Sequence, residues 1–317
     1  MILRYASQKC QGLSINCFAY PQDCFAYNKF MIRVWQITPG DSQTIDLADR
    51  SSLDAITRQL PDGYYSTFRT YNSRTRILGL NSHLRRLYDP VENPEISALE
   101  LRRQLVPLLE PFHPDEARIR AIMTKQGQVY IAIEPLLPLP KEVYENGVRV
   151  ETTDIHRNAP RLKSTAFISA SDNERKHMAQ EGIFEALLTR DGKILEGMTS
   201  NFFYALHASS ASLDVTSEPS AQRERILFTA QRDILLGVTR KTIIRLARGR
   251  GVEVQYRALK LNQLTEVSEA FITSSSRGVV SVVQIDDVTV GQGRPGQLTR
   301  ILMDAYNDYV LEHAEKI

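Results

Sequence analysis

The sequence is poor in cysteine, in net charge and in long apolar runs. Its 317 residues include three cysteines, and the formal net charge is only +2. A charge this small provides little attraction to nucleic acid or to a membrane surface, and none of the apolar runs is long enough to cross a bilayer. With 42% hydrophobic and 24% charged residues, the composition is typical of a soluble globular protein that has neither nucleic acid nor a membrane as its partner.

The three cysteines, Cys10, Cys17 and Cys24, lie near the start of the chain at intervals of seven residues. Because neither a C-x-x-C pair nor a neighbouring histidine accompanies them, free thiols are favoured over a metal or redox cluster, and no metal is expected. The odd count, and the lack of an apolar secretion signal after Arg4 and Lys9, predict a reducing compartment, the cytoplasm.

The length is sufficient for two domains, and the pattern along the chain suggests where they divide. Residues 1–30 are irregular and are interpreted as an appended segment, with Met31 as a candidate start. Residues 31–136 predict a small α+β domain. A stiff, proline-rich stretch at 137–142 predicts the interdomain linker, and residues 143–317 predict the larger domain.

Periodicity predicts the secondary structure of both domains. Alternation with period two predicts strands at 31–37, 63–71 and 74–80. Further strands are predicted at 147–153 and 201–206, and hairpins around Gly127 and Asp191–Gly192. Helices are predicted from His83 to Tyr88, at 171–182, at 238–251 and at 297–313. Ile96, Leu99, Leu105 and Leu108 are spaced to share one helical face. The serine-rich segment 207–225 has no period and is predicted to be a mobile surface loop.

Two titratable residues stand out for their chemistry. Lys163, in RLKST, follows a turn at Pro160, and Glu196 ends the strand KILE. A lysine amine can join an aldehyde cofactor as an imine if burial or neighbouring cations lower its pKa, and a carboxylate can keep a pyridine nitrogen protonated. Taken singly, a surface lysine and a hairpin-end glutamate are the usual interpretations.

Three further motifs are suited to binding phosphate. LLGVTR begins a helix at Gly237–Arg240, where backbone N–H groups and the helix dipole favour an anion. The turn TSSSRG (273–278) carries three hydroxyls, and Arg86 of HLRRL can add a charge-assisted hydrogen bond. Each has an ordinary alternative: a helix cap, a polar loop, a surface arginine. Together with Lys163 and Glu196, the set describes a site for pyridoxal phosphate (PLP).

The motifs HLRRL, RLKST, EGMTSN, GVTR and the strand followed by SSS occur in an order and spacing that resemble the fold-type IV PLP enzymes, the class IV aminotransferase family. The resemblance runs from about residue 31 to the C-terminus. The family includes branched-chain and D-amino-acid aminotransferases, R-selective amine transaminases and aminodeoxychorismate lyase. The resemblance implies an α/β (α+β) fold of two domains with PLP between them, and a homodimer.

The resemblance also implies a role for each matching position. Lys163 is expected to be the catalytic Schiff-base lysine, which also moves a proton between the substrate Cα and the cofactor. Cofactor contacts are implied for Arg86, Lys163, Glu196, Leu235, Val238, Thr239 and Ser275, with Glu196 at the pyridine nitrogen and Leu235 against the ring. Substrate contacts are implied for Thr67, Arg120 and Ser276.

Three positions bear on the reaction. Ile168 and Arg118 stand where branched-chain enzymes carry tyrosines, which argues against that specificity. Thr67 stands where aminodeoxychorismate lyase has a threonine. The expected function is amino-group transfer between an amino acid or amine and a 2-oxo acid. The alternatives are the lyase, which forms 4-aminobenzoate and pyruvate, and a relative of the fold that has lost the cofactor.

Overall fold

The computed structural model describes residues 32–112, 115–207 and 226–317. The predictions made for residues 1–30, for Met31 as a start and for the loop beyond His207 lie outside these residues. None of the helices in the described ranges combines the length and the apolarity that crossing a bilayer requires.

The first sheet comes mainly from the N-terminal half of the chain. Its strands are Arg33–Thr38 (β1), Asp41–Thr44 (β2), Gly63–Tyr71 (β3), Arg76–Ile77 (β4), Ala117–Thr124 (β5), Val129–Pro135 (β6) and Glu315–Lys316 (β17). Within the described residues their order is β17-β4-β3-β5-β6-β1-β2, and every pair is antiparallel. β5 and β6 form the hairpin predicted around Gly127. The last strand, β17, brings the end of the chain back to this sheet.

Helices cover both faces of the first sheet. Successive side chains of a strand point to opposite faces, and apolar side chains occur on both faces of this sheet. Leu80–Tyr88 (α2) and Ala98–Leu109 (α3) pack on one face, and Leu53–Gln59 (α1) packs on the other. The buried residues of α3 are Leu101, Leu105, Leu108 and Leu109. Leu99 is 59% exposed, so its predicted place on the buried face is wrong.

The second sheet comes from the C-terminal half. Its strands are Val148–Thr153 (β7), Glu185–Arg190 (β8), Lys193–Gly197 (β9), Asn201–Leu206 (β10), Ile226–Thr229 (β11), Glu253–Tyr256 (β12), Leu259–Lys260 (β13), Val267–Ser274 (β14), Gly278–Ile285 (β15) and Val288–Thr289 (β16). The order in the described residues is β12-β11-β10-β14-β15-β7-β8-β9-β13, with β16 beside β15. β7 lies parallel to both β15 and β8, so this sheet mixes the two pairings.

Apolar side chains cover both faces of the second sheet, which explains the nearly continuous apolar sequence of β10. Phe202 and Tyr204 point into one cluster, and Phe203 points into the opposite one. Val238–Gly249 (α7) and Gln297–His313 (α8) pack on the Phe203 face. Three shorter helices, Lys141–Asn146 (α4), Ala166–Ala170 (α5) and Asp172–Glu181 (α6), complete the domain.

Most local predictions match these elements. The predicted helices at 171–182, 238–251 and 297–313 are α6, α7 and α8. The predicted hairpin turns on Asp191 and Gly192, both with positive φ, as a type I′ turn requires. Asn72, Ser73 and Arg74 adopt positive φ and form the turn that the sequence predicts between two strands. The predicted strand 74–80 is wrong apart from β4, because this turn extends to Thr75 and a second turn at Leu78 and Gly79 leads into α2.

The two sheets are joined at the segment that carries Lys163. A backbone bridge pairs Tyr64 of β3 with Ser164, and the amide of Tyr65 donates to the carbonyl of Lys163 at 2.9 Å. The Thr165 hydroxyl accepts from the amide of Gly63 at 2.9 Å. Residues 163–165 therefore lie along β3, although the helices that follow them belong to the second domain. The domain boundaries drawn from the sequence stay a prediction.

Candidate active site

One cavity of about 450 Å³ lies between the two sheets. This volume is in the range that binds a small molecule or cofactor. All ten residues singled out from the sequence line it: Thr67, Arg86, Arg120, Lys163, Glu196, Leu235, Val238, Thr239, Ser275 and Ser276. They come from β3, α2, β5, the joining segment, β9, the first residues of α7 with the turn before them, and the turn after β14. The site is therefore assembled from segments that lie far apart in the sequence.

Lys163 enters the cavity from the segment that lies along β3. The residue as a whole is half-buried because it faces the cavity, while its amine is enclosed by protein atoms, and Nζ is 4.7 Å from the centroid of the Tyr65 ring. Burial lowers the pKa of Lys163 well below its usual value of 10.5, and the nearby charges of Arg157, Arg86 and Arg120 lower it further. This lowering favours the neutral, nucleophilic form of the amine.

Glu196 points into the cavity from β9 and is held by three donors. Oε1 accepts from Arg157 Nε at 3.1 Å, and Oε2 accepts from Asn201 Nδ2 at 3.2 Å and from the amide of Leu235 at 3.0 Å. Burial raises the pKa of Glu196 to about 7, although the charge of Arg157 opposes the rise. The carboxyl group can therefore hold or release a proton near neutral pH.

The start of α7 lines the cavity and is suited to binding an anion. Gly237 precedes the helix without any side-chain cap, so the first N–H groups of the helix, at Val238 and Thr239, are free to donate to an anion. Arg86 Nη2 donates to the carbonyl of Leu236 at 2.7 Å, which places the guanidinium beside this helix end. Burial lowers the pKa of Arg86 to about 10, which leaves it charged at neutral pH.

Gly237 is also required by close packing. A Cβ at this position would lie 2.1 Å from Oδ1 of Asn201. Asn201 in turn donates to Glu196 and to the carbonyl of Leu235. The glycine therefore lets the helix start approach the residues that hold the carboxylate.

Arg120 crosses the opposite end of the cavity with its donors largely engaged. Its Nη1 donates to Asp54 Oδ1 at 2.5 Å and to Thr57 Oγ1 at 3.0 Å, and its Nε donates to Thr67 Oγ1 at 3.1 Å. Burial by itself would raise the pKa of Asp54, but Arg120 and Arg175 lower it below its ordinary value. Asp54 therefore stays ionised and holds Arg120 in place.

The turn after β14 carries the last two predicted residues, Ser275 and Ser276. Arg277 anchors it, since its Nη2 donates to Glu185 Oε2 at 2.9 Å and to the Thr199 hydroxyl at 2.6 Å. The backbone of this turn therefore has a fixed position at the wall of the cavity.

Sequence reasoning missed Arg157, Asn201 and Tyr65. Arg157 lies in a segment without periodicity, six residues before the lysine, and only the fold brings it to Glu196. Asn201 stands in a motif, EGMTSN, but nothing in the sequence shows which groups its side chain contacts. Ile168 is buried against Tyr65, Ile122 and Tyr130, so it is a core residue that offers no hydrogen bond to the cavity.

The chain is similar to known aminotransferases. The family "Amino-transferase class IV" matches residues 63–285. D-alanine aminotransferase of Bacillus licheniformis is 27% identical over 291 residues, covering 86% of this chain and 94% of that one. A probable branched-chain-amino-acid aminotransferase of Thermotoga maritima is 28% identical over 280 residues, covering 84% and 94%.

Solved structures share the fold. A putative branched-chain amino acid aminotransferase from Thermotoga maritima superposes with a TM-score of 0.68 at 24% identity, covering 88% of this chain and 96% of that one. A hypothetical aminotransferase from Mycobacterium tuberculosis, in its PLP-bound form, gives a TM-score of 0.66 at 18% identity, covering 89% and 99%. These matches confirm the two-domain α/β fold.

The fold and the match over most of the chain define an enzyme of the aminotransferase type. The chain belongs to the class IV aminotransferases, and as members of that family depend on PLP, PLP is its cofactor. The cavity fits this group by its own chemistry, because it combines a neutral buried amine, a carboxyl group that titrates near 7 and an uncapped helix start beside an arginine.

Proposed function

We propose that this enzyme transfers the amino group of an α-amino acid, such as glutamate, to a 2-oxo acid. The observation that carries the proposal is the position of Lys163, a buried amine surrounded by three arginines in the same cavity as Glu196. Burial and the neighbouring positive charges favour the neutral form of this amine, which is the form that acts as a nucleophile or base.

Each end of the cavity is suited to one part of PLP. Arg86, the N–H groups of Val238 and Thr239, and the Ser275 turn would hold the phosphate. Leu235 would lie against the ring, and Glu196 would hold a proton at the pyridine nitrogen. When bound, PLP supplies an aldehyde that takes up amino groups and a ring that accepts electrons.

Lys163 is the group proposed to move the proton between the substrate Cα and the C4′ atom of the cofactor. Its backbone is fixed by the hydrogen bond from Tyr65, so the amine can swing only by side-chain rotation. Its depressed pKa, caused first by burial, leaves it able to accept a proton at neutral pH.

Arg157 and Asn201 are proposed to act through Glu196. Both donate to its carboxylate, and the Leu235 amide adds a third bond. This arrangement fixes the orientation of the carboxyl group. A proton held at the pyridine nitrogen strengthens the electron-accepting character of the ring.

The lyase alternative rests on Thr67. In this structure the Thr67 hydroxyl accepts from Arg120 Nε at 3.1 Å, so it is part of the Arg120 network. The relatives reported above are aminotransferases, which gives the lyase no additional support.

The test is a set of assays on the PLP-loaded protein. Amino donors, both enantiomers of glutamate and alanine, are combined with pyruvate or 2-oxoglutarate, and the new amino acid is measured. We expect transfer in the wild type and none in Lys163→Ala. Lys125→Ala, which removes an exposed lysine after β5, serves as the matched control and should keep full activity.

A competing outcome is equally measurable. If the protein releases pyruvate and 4-aminobenzoate from aminodeoxychorismate and transfers no amino group, the lyase is correct.

A homodimer is proposed on the family resemblance alone, and sedimentation of the purified protein at several concentrations tests it. Location in the cytoplasm stays a prediction.

A further inference from the structure

Arg69 and Arg118 stand side by side on the wall of the cavity. They are directly opposite each other on the paired strands β3 and β5, which brings their Cβ atoms to about 5 Å. Both line the cavity, and both are partly exposed. Like charges in this position repel each other, so the pair is unfavourable unless an anion lies between or beside it.

The acidic groups of the described residues balance this pair only in part. Arg118 Nε is 2.5 Å from Glu134 Oε1, its cross-strand neighbour on β6. Arg69 lies over the Tyr71 ring at 4.7 Å and donates from Nε to its neighbouring carbonyl, at Thr70. Within residues 32–112, 115–207 and 226–317, no carboxylate pairs with Arg69.

Arg120 is less available than Arg69 and Arg118 to bind the carboxylate of a ligand. It is two residues from Arg118 on β5, but its guanidinium is bound to Asp54, Thr57 and Thr67. A substrate carboxylate would have to compete with Asp54, which Arg175 also holds at 3.0 Å. The donors best placed for a ligand on this wall are therefore the terminal N–H groups of Arg69 and Arg118.

The charge of the whole cavity points to an additional anion. Seven arginines line it, and four carboxylates lie among or against them: Asp54, Glu134, Glu185 and Glu196. With Lys163 neutral and Glu196 ionised, these groups of the described residues leave three positive charges. A phosphate ester removes roughly two of them. A neutral amino acid leaves the last charge unmatched, whereas an acidic amino acid, with its second carboxylate, neutralises it.

We propose that Arg69 and Arg118 bind the side-chain carboxylate of a dicarboxylic substrate and thereby determine the preference for acidic amino acids and their 2-oxo acids. The α-carboxylate is then left to the backbone of the turn at Ser275 and Ser276, which also lines the cavity. This inference rests on the proposed function for its substrate class, but the binding that it describes is measurable without turnover.

The first measurement is binding to the PLP-loaded wild type by calorimetry. Glutarate carries two carboxylates and no amino group, and valerate has the same chain length with one carboxylate. We expect glutarate to bind about 10- to 100-fold more tightly, the usual size of a charge-assisted hydrogen-bond pair. Equal affinities would overturn the inference.

The second measurement uses Arg118→Gln and Arg69→Gln, with Arg33→Gln as control. Arg33 is exposed on β1 of the same sheet and lies outside the cavity. We expect the two cavity variants to lose most of the preference for glutarate, and to raise KM for glutamate while kcat/KM for alanine stays within about twofold. The control should behave as the wild type. An equal loss for glutamate and alanine, or the same loss in the control, would overturn the inference.

The two proposals fail separately. A wild type that prefers glutarate but transfers no amino group contradicts the proposed function and supports the subsite. A wild type that transfers amino groups and binds glutarate no better than valerate supports the proposed function and rejects the subsite.

Discussion

Arg157 and Glu196 form a buried ion pair in which Arg157 Nε lies 3.1 Å from Glu196 Oε1. Their side chains are 4% and 3% exposed, respectively. Arg157 also donates from Nη2 to the carbonyl of Met198 at 2.7 Å, and its guanidinium lies 3.8 Å from the centroid of the Phe167 ring. The pair therefore connects the strand that carries the carboxylate to the segment that precedes Lys163.

Replacing Arg157 by leucine should destabilise the protein by about 3 kcal/mol, because the change leaves a buried carboxylate without its cation. It should also raise the pKa of Glu196 above 7, since the charge of Arg157 now lowers it. Thermal and denaturant unfolding measure the first effect. Arg161→Leu, at an exposed arginine in the same segment, is the control, and a similar loss there would contradict the prediction.

Replacing Lys163 by methionine should abolish amino transfer and at the same time stabilise the cofactor-free protein. A buried amine among Arg157, Arg86 and Arg120 has a lowered pKa, so folding requires it to release a proton at neutral pH. Methionine has no such cost. The sign follows: the gain should be largest at low pH and should disappear above the ordinary lysine pKa of 10.5.

The melting temperatures of the two cofactor-free proteins at several pH values check this prediction. Comparison without PLP is necessary because the wild type alone would gain stability from the bound cofactor. A variant that melts below the wild type at about pH 6, where the unfolded lysine is fully protonated, would show that Lys163 is held by favourable contacts.

Replacing Glu196 by glutamine should remove one component of the pH dependence of stability. The pKa of Glu196 is raised from 4.5 to about 7 in the folded state, so its contribution is complete below pH 4.5 and is lost as the pH rises through 7. The difference between the wild type and Glu196→Gln should change by about 3 kcal/mol between these limits. Denaturant unfolding from about pH 4 to about pH 8 measures it. Glu253→Gln, an exposed residue on β12, should show no such change.

Replacing Arg86 by glutamine should weaken binding of PLP far more than binding of pyridoxal, which lacks the phosphate. Arg86 lies beside the start of α7, and a charge-assisted bond to phosphate corresponds to a factor of about 10 to 100 in affinity. Fluorescence titration with both compounds gives the ratio. Arg85→Gln, on the exposed face of α2, should leave the ratio unchanged, and an equal loss for PLP and pyridoxal in Arg86→Gln would disprove the phosphate contact.

The sequence predicts a helix or turn well where the pattern that specifies it lies within that element. The Asp191–Gly192 turn and the long helix α8 are of this kind, because turn chemistry and helical spacing are encoded within a few residues. Residues 74–80 show the limit. Their alternation resembles a strand, but the turn that begins at Asn72 extends to Thr75, and a second turn at Leu78 and Gly79 leads into α2.

The sequence predicted which residues line the cavity, but not which of their side chains contact each other. The family motifs pointed to residues that line one cavity, yet the sequence does not say which side chains hold each other. Arg120 illustrates this limit, since its engagement with Asp54 depends on a helix 66 residues earlier. Arg69 and Arg118 are similar, because their pairing follows from the register of two strands.

The lysine-bearing segment lies along β3 of one domain and continues into helices of the other. A molecule attached to Lys163 and also held at the start of α7 would therefore act as a clamp across the domain junction. Without it, the hydrogen bonds between residues 63–65 and 163–165 join the two halves there. With it, their opening becomes a single event whose cost includes releasing the cofactor. Supply of PLP would then set how long each molecule survives in a proteolytic environment, as well as whether it is active.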